Sequence, residues 1–424
     1  MGFFVFSVKA DRHKSCSNNF NFAINRYTVI SIQEIKLAVS AFSDELVRMR
    51  RHLHAHPELS FQEKETAAWI SQKLASWGIS HQTGVAGYGI VGVIKGKNPG
   101  KKVVALRADI DALPIEEMSP VEYKSQNKGV MHACGHDVHT TCLLGALKIL
   151  NDRREFFEGS VKFLFQPAEE KLPGGAVQMI KAGVLENPAV NIMLGQHVYP
   201  DLETGKVGFR QGRYMASTDE IHLTIRGKGG HAAMPDQIDD PVLAMAEILV
   251  SLQTVVSRKT PPDIPCVLSF GAVKADGATN VIPSEVLVHG TFRTFDEEWR
   301  KTAHRLIIQK AEAIAQAHGC SCEVVIDKGY PFVENDPEVT VRAQKAAEEF
   351  LGKENVVDLD IRMTAEDFGY FAQAVPSCFY RLGTRNEKKG ITAGLHHPRF
   401  DVDEKSLETG TGLLVWETLS QLNG

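Results

Sequence analysis

The sequence lacks a membrane-spanning run, a basic stripe and a cysteine framework, and each absence removes a class of function. The longest apolar stretches fall well short of the ~20 residues that a membrane span requires, so no bilayer crossing is expected. Lys and Arg number 47 against 52 Asp and Glu, a net charge of -5, and the basic residues are scattered. No segment gathers the positive charge that would neutralise several phosphates, which argues against nucleic acid as a partner. The seven cysteines (16, 134, 142, 266, 320, 322 and 378) form an odd set without the regular spacing of a small secreted scaffold. A reducing, cytoplasmic compartment is the expectation. There is no GxSxG elbow for a serine hydrolase, and GKGGHAAMP (227–235) lacks the Lys-Ser/Thr ending of a phosphate loop. Repeats, low-complexity tracts and Gly/Ser linkers are also missing. At the N-terminus the apolar patch in MGFFVFSVKADRHK is too short for a signal-peptide core, and Phe6 stands where myristoylation wants Ser or Thr. Residues 1–34 show no clear period and are read as a leader, disordered or of little functional weight.

What is present is a chain of 424 residues, 43% hydrophobic and 23% charged, long enough to form two structural units. From Ser43 onward, DELVRMRRHLHAHPEL and EKETAAWISQKLASWG read as amphipathic helices, the second ended by Gly78. The apolar runs VVALRA (103–108), VKFLF (161–165), NIMLG (191–195) and CFYRLG (378–383) are bounded by turn residues, with helical stretches such as TTCLLGALKILNDRRE between them. This alternation predicts an α/β fold with a mainly parallel, helix-covered sheet over residues 35–216 and 331–424. Residues 217–330 read as β-α-β-β-α-β, an inserted ferredoxin-like α+β domain.

Ligand-type residues gather at the carboxyl ends of the predicted strands. Asp109 and Asp111 follow VVALRA, Glu169 and Glu170 follow VKFLFQPA, His197 follows NIMLGQ, and His396 and His397 lie beyond CFYRLG. In an open α/β sheet those strand ends border one crevice. MHACGHDVH (131–139) precedes a helix and adds Cys134, His136, Asp137 and His139 at its N-terminus. A thiolate with imidazoles and carboxylates suits zinc or a similar borderline metal, and the number of donors suits two ions. The adjacent Glu169 and Glu170 divide naturally into a base and a ligand, because a base that reaches metal-bound water must stay uncoordinated. Taken singly, each group has an ordinary reading: Cys134 as a small hydrophobe, the glutamates as a solvated turn, the aspartates as turn caps, His197 as a core histidine. Their shared placement favours a site. HLHAHP (52–57) reads as a helix end and not as a metal tract, and Cys320 and Cys322 as packing.

The ordered motifs RRHLHAHPELSFQE, RADIDALPI, MHACGHDVH, FQPAEE, GQHV, GKGGHAAMP, NVIP, GTFRTFD, MTAEDF and LHHPRFD run from about Glu45 to the end. Through them the chain resembles the metal-dependent aminoacylase and carboxypeptidase superfamily, in the group of indoleacetyl-amino-acid hydrolases, hippurate hydrolases and N-acetyl-diaminopimelate deacetylases. The resemblance implies a zinc-exopeptidase-like fold and two divalent ions, zinc or manganese with nickel or cobalt as alternatives. Cys134, His136, Glu170, His197 and His396 would hold them, although the doubled histidine leaves His397 open. It further implies Glu169 as general base, Asp111 as a residue that orients the site, and an inserted domain that acts as lid and homodimer surface. His231, from the same chain or from across the dimer, would meet the scissile carbonyl, and Asn280 would contact substrate. The implied reaction is hydrolysis of a small N-acyl amino acid to a carboxylic acid and a free amino acid. A dipeptidase or aminopeptidase, a non-catalytic metal-binding protein, and an oligomer whose inserted domain serves mainly for interaction remain open.

Overall fold

The computed structural model describes residues 30–423. The leader reading therefore lies outside the described residues except at 30–34, and there it needs correction. Helix α1 spans Ile32–Ala55 and opens on a capping box, with Ser31 and Glu34 bonding each other's backbone N–H groups. That Ser-x-x-Glu signature precedes a buried stripe of Ile35, Val39, Leu46, Met49 and Leu53, so the helix starts well before Ser43 and inside the expected leader. Helix α2, Lys64–Ser76, stops as expected ahead of Gly78, whose φ of +67° is left-handed.

The larger sheet contains eight strands: β1 (His81–Val85), β2 (Gly89–Lys95), β3 (Val103–Asp109), β4 (Ser160–Gln166), β5 (Ile192–Glu203), β6 (Val207–Phe209), β7 (Val356–Asp358) and β8 (Ser377–Arg385). Their spatial order is β1-β2-β4-β3-β5-β8-β6-β7. The centre, β4-β3-β5-β8, is parallel. Short strands at both margins, which the sequence pattern did not announce, add antiparallel pairs. Every residue of β3 and β4 is buried, as a sheet covered on both faces requires. Helices α1, α3 (His136–Asp152), α4 (Pro337–Leu351) and α5 (Ser406–Asn423) cover one face in a single apolar cluster. On the other face, Met179, Phe368, Phe371 and Phe379 form a second cluster with the short helices Gly175–Lys181 and Gly369–Ala374.

Between β6 and β7 the chain builds the β-α-β-β-α-β unit. Strands Asp219–Arg226, Cys266–Lys274, Glu285–Thr294 and Ser321–Lys328 make an antiparallel sheet ordered second, third, first, fourth. This is the ferredoxin-like order. Helices Pro241–Thr254 and Glu297–Ala317 pack on it around their own apolar cluster. The first of these continues to Lys259, and the whole is long and apolar enough by composition to cross a membrane. Its stripe Ala244, Ile248 and Leu252 is packed against the sheet, whereas Leu243 and Val250 are exposed.

Candidate metal centre

The parallel strands align the chemistry. Arg107 of β3 pairs in register with Gly195 of β5, and His197, two residues on, pairs with Arg381 of β8. β5 continues to Glu203, so His197 sits within the strand and not past its end as expected. Cys134 and His136 flank Gly135, which has φ of +81°; a Cβ there would lie 2.4 Å from the Val198 side chain. Only glycine lets this turn press against β5 while starting α3.

Donor atoms of Cys134, His136 and His197 lie within 4.8 Å of one another, as do those of Cys134, Glu170 and His396, and of His136, Glu169 and Glu170. Neighbours decide which nitrogen each histidine offers. His136 Nδ1 donates to the Asp111 carbonyl at 2.9 Å, and His197 Nδ1 donates to the Val198 carbonyl at 2.7 Å, so both present Nε2. His139 belongs to a further such group with Asp109 and His136. Yet its Nδ1–H donates to Asp109 at 2.6 Å and its Nε2 accepts the Val198 N–H at 2.9 Å. With both nitrogens occupied, it orients Asp109.

His396 Nε2 lies 3.4 Å from Glu170 Oε1, whereas the exposed His397 accepts the Arg399 N–H and does not face the cleft. His396 has φ of 61° and Ala168, beside Glu169, has φ of 53°. Left-handed backbone at non-glycine residues is strained and persists where surrounding contacts over-determine it. The Ala133 carbonyl holds the His396 N–H, and the Glu63 carboxylate holds that of Ala168.

Other side chains fix these positions. Asp111 Oδ2 accepts from the Ser60 hydroxyl and the Glu170 N–H, while its Oδ1 faces His136 Nδ1, so one carboxylate ties two candidate ligands together. Buried Arg107 joins Asp109, Glu366 and Asp367. The Tyr330 hydroxyl donates to the Glu169 carbonyl at 2.6 Å.

Burial raises the Glu169 pKa well above the carboxyl range, and Glu366, Glu170, Asp367 and Asp111 add to it. Burial likewise lifts Cys134, with Glu170, Glu169 and Asp109 reinforcing the effect. Burial opposes charge on His136, yet Asp109 and Asp111 push it up to about 10. His197 is driven well below the usual histidine value by burial, then by Arg381. His136 Nε2 and Glu170 Oε1 are buried without hydrogen-bond partners among the described residues. Buried polar atoms without partners, crowded carboxylates, and an imidazole and a thiol that hold their protons are what divalent cations would satisfy by displacing those protons, and the mixed N, S and O set fits zinc-like ions.

Glu63 yields a pH test. Burial, then the nearby Asp111 charge, pushes its carboxyl from 4.5 up to about 7, although N–H bonds from Ala168 and Phe61 oppose the shift. The folded state then binds more protons than the unfolded between those values, so Glu63 stabilises at low pH and that contribution is lost as pH rises through about 7. Against Glu63→Gln, which keeps the accepting oxygen, wild type should lose up to about 3 kcal/mol across this window. Urea midpoints on chelated protein at about pH 5 and about pH 8 measure it; parallel pH profiles for the two proteins would remove this assignment.

Residues 105–415 match the peptidase family M20/M25/M40. The chain belongs to this family. Among its M20/M25/M40 relatives, a putative amidohydrolase YhaA of Bacillus subtilis is 40% identical over 383 residues, covering 90% of this chain and 96% of that protein. An N-acyl-L-amino acid amidohydrolase of Geobacillus stearothermophilus is 45% identical over 303 residues, covering 72% and 81%. In fold, the chain is similar to the B. subtilis YXEP protein, described as a dinuclear metal binding peptidase, with TM-score 0.77, 35% identity and coverage of 91% and 99%.

The fold of this M20/M25/M40 chain brings Asp111, Cys134, His136, Glu169, Glu170, His197 and His396 together. It does not bring His231 or Asn280 to the same cleft. Both are exposed: His231 lies on a short two-stranded ladder, Gly230–His231 with Val281–Ile282, and Asn280 lies in the turn before it, where its carbonyl accepts the Ala232 N–H. Sequence reasoning gave no role to Arg107, Glu366, Asp367 or Arg381. The available signal was a charged residue inside an otherwise apolar strand, as in VVALRA and CFYRLG. HLHAHP is structural, as read: His54 bonds Asp137 and His52 stacks on Trp69.

Proposed function

We propose that this chain hydrolyses the amide bond of N-acyl amino acids, releasing a carboxylic acid and a free amino acid, with Cys134, His136, Glu170, His197 and His396 holding two divalent ions. Zinc or manganese suits the donor set best, with nickel or cobalt as alternatives. The observation that carries the reading is the Glu169–Glu170 pair at the wall of a cleft of about 420 Å³. Glu170 turns toward the candidate ligands an oxygen that has no hydrogen-bond partner among the described residues, whereas Glu169 is buried among acids and, among those residues, has no cationic partner within ion-pair distance. Sequestration of a metal needs no such second carboxylate.

Bound ions would supply Lewis acidity to the amide carbonyl and to water. Glu169 takes the proton from the attacking water and hands it to the departing nitrogen, a role suited to a carboxyl with raised proton affinity. Asp111 keeps His136 and the Glu170 backbone in place, and Tyr330 anchors Glu169 through its carbonyl.

The test is amine release from N-acetyl, N-benzoyl and indoleacetyl amino acids alongside free dipeptides, using chelated protein re-supplied with zinc or manganese. Hydrolysis of the acylated substrates that disappears on chelation and returns with metal is expected. Cleavage of free dipeptides alone would make the chain a peptidase, and silence with metal held would make it a binding protein. The proposal extends to a homodimer through the inserted domain, supported by the exposed Leu243 and Val250 on its helix. Light scattering should read twice the 46.7 kDa chain mass, and a monomer would exclude it.

A further inference from the structure

Two arginines of the cleft have no acid within ion-pair distance among the described residues. Arg381 is 2% exposed, stands in register beside His197 and lines the cleft. Its Nε donates to the Tyr214 hydroxyl at 2.8 Å and its Nη2 approaches the Met215 sulfur at 3.0 Å, with the Tyr214 and Phe379 rings alongside. Arg362 lies over the Tyr199 ring and lines the same cleft, and its Nε is buried without a hydrogen-bond partner among the described residues. Among the described residues no carboxylate oxygen comes within 4.0 Å of either guanidinium. The other deeply buried arginines behave differently: Arg50 grips Asp137, Arg107 grips Asp109, and Arg300 grips Asp219. Glu366, the acid that acts on Arg381 from farther off, is already bonded to Arg107. A buried guanidinium left with a phenol and a thioether is costly unless an anion completes it.

Both side chains are set on one rigid support. The Arg362 backbone exchanges hydrogen bonds with Tyr214 and Ala216, the segment whose Tyr214 and Met215 side chains hold Arg381. Pre-positioned arginines at the wall of a cleft match the planar, two-oxygen geometry of a carboxylate.

We propose that Arg381, assisted by Arg362, binds a carboxylate of the substrate and makes the cleft selective for an anionic acyl-amino acid over its neutral analogue. What carries that carboxylate rests on the amidohydrolase reading: either the α-carboxylate of the amino acid or one on the acyl group. N-acetyl-L-methionine presents the first alone, N-succinyl-L-methioninamide the second alone, and N-acetyl-L-methioninamide neither.

For metal-loaded protein, Arg381→Met should raise KM for the carboxylate substrate roughly 10- to 100-fold and collapse its preference over the neutral amide, with metal content unchanged and Arg381→Lys recovering part of the loss. The compound whose KM moves identifies the carboxylate. An acid-to-amide preference that survives in Arg381→Met overturns the proposal. Calorimetric titration of the chelated protein with the same three compounds reads binding without turnover. Weaker carboxylate binding by Arg381→Met supports the site even if no amide is cleaved, in which case the hydrolase reading alone fails. Equal binding by wild type and variant overturns the site even if hydrolysis is found.

Discussion

Glu169→Gln is expected to keep its full complement of metal and to lose ~10²–10⁴ in kcat on acylated amino acids, the usual contribution of a positioned general base. The substitution is nearly isosteric, and the one hydrogen bond to the side chain among the described residues, a long one of 3.4 Å from the Asp367 N–H to Oε1, can be made by the glutamine oxygen. The anchor from Tyr330 goes to the backbone carbonyl and is untouched. What disappears is the ability to take and return a proton. Because Glu169 sits among Glu366, Glu170, Asp367 and Asp111, removing its titration should also leave stability equal or higher. Metal per chain, kcat and the unfolding midpoint, measured on one preparation, separate these effects. A variant that turns over at nearly the wild-type rate would take Glu169 out of the mechanism, whereas one that had lost metal would recast it as a ligand.

Arg107→Met should destabilise the fold by roughly 3–5 kcal/mol, the range for breaking a buried charge network on one side. Arg107 is fully buried on β3, with Nη1 2.7 Å from Asp109 and Nη2 3.0 and 2.9 Å from Glu366 and Asp367; its Nε donates to Gln166 at 2.8 Å. Its removal leaves three buried carboxylates without their cation. Asp367, which burial and then Glu366 lift to about 8 even against Arg107, already holds a proton readily at neutral pH, and this softens part of the cost. Asp109 is held well below its ordinary pKa by Arg107 and the two histidines despite burial, so it would lose most, and with it the orientation of His139. Arg107→Lys should recover only part of the stability, since an ammonium cannot match the fork that serves three acids and an amide. Denaturant midpoints of the metal-free proteins test this, and a loss below about 1 kcal/mol would show the network to be energetically idle.

The fold was legible where periodicity is strong. The buried runs at β3, β4 and β8 are read nearly to the residue, and the six elements of the inserted unit appear in the expected order because each carries a clear period of two or 3.6. Legibility failed at short and edge elements. β1, β2, β6 and β7 are too brief or too mixed in polarity to stand out, and their pairing depends on neighbours distant in sequence. The start of α1 was readable in principle from Ser31 and Glu34, but its first turns are polar enough to blur the period.

For the candidate site, the residue types and their order along the chain singled out Cys134, His136, Glu169, Glu170, His197 and the histidine pair at 396 and 397, because a metal site would demand particular atoms and the motifs keep them in short segments. The sequence by itself therefore determined the donor chemistry, the α/β architecture and the inserted unit. Only the tertiary structure decided which atoms are free to act. His139 is occupied on both nitrogens by Asp109 and the Val198 backbone, His396 faces Glu170 while His397 turns away, and Arg381 stands beside His197 with no acid in ion-pair distance among the described residues. These outcomes depend on strand register and on backbone groups from segments tens to hundreds of residues away. A local motif holds no information about such partners, and the parallel sheet supplies it by bringing its strand ends into one crevice.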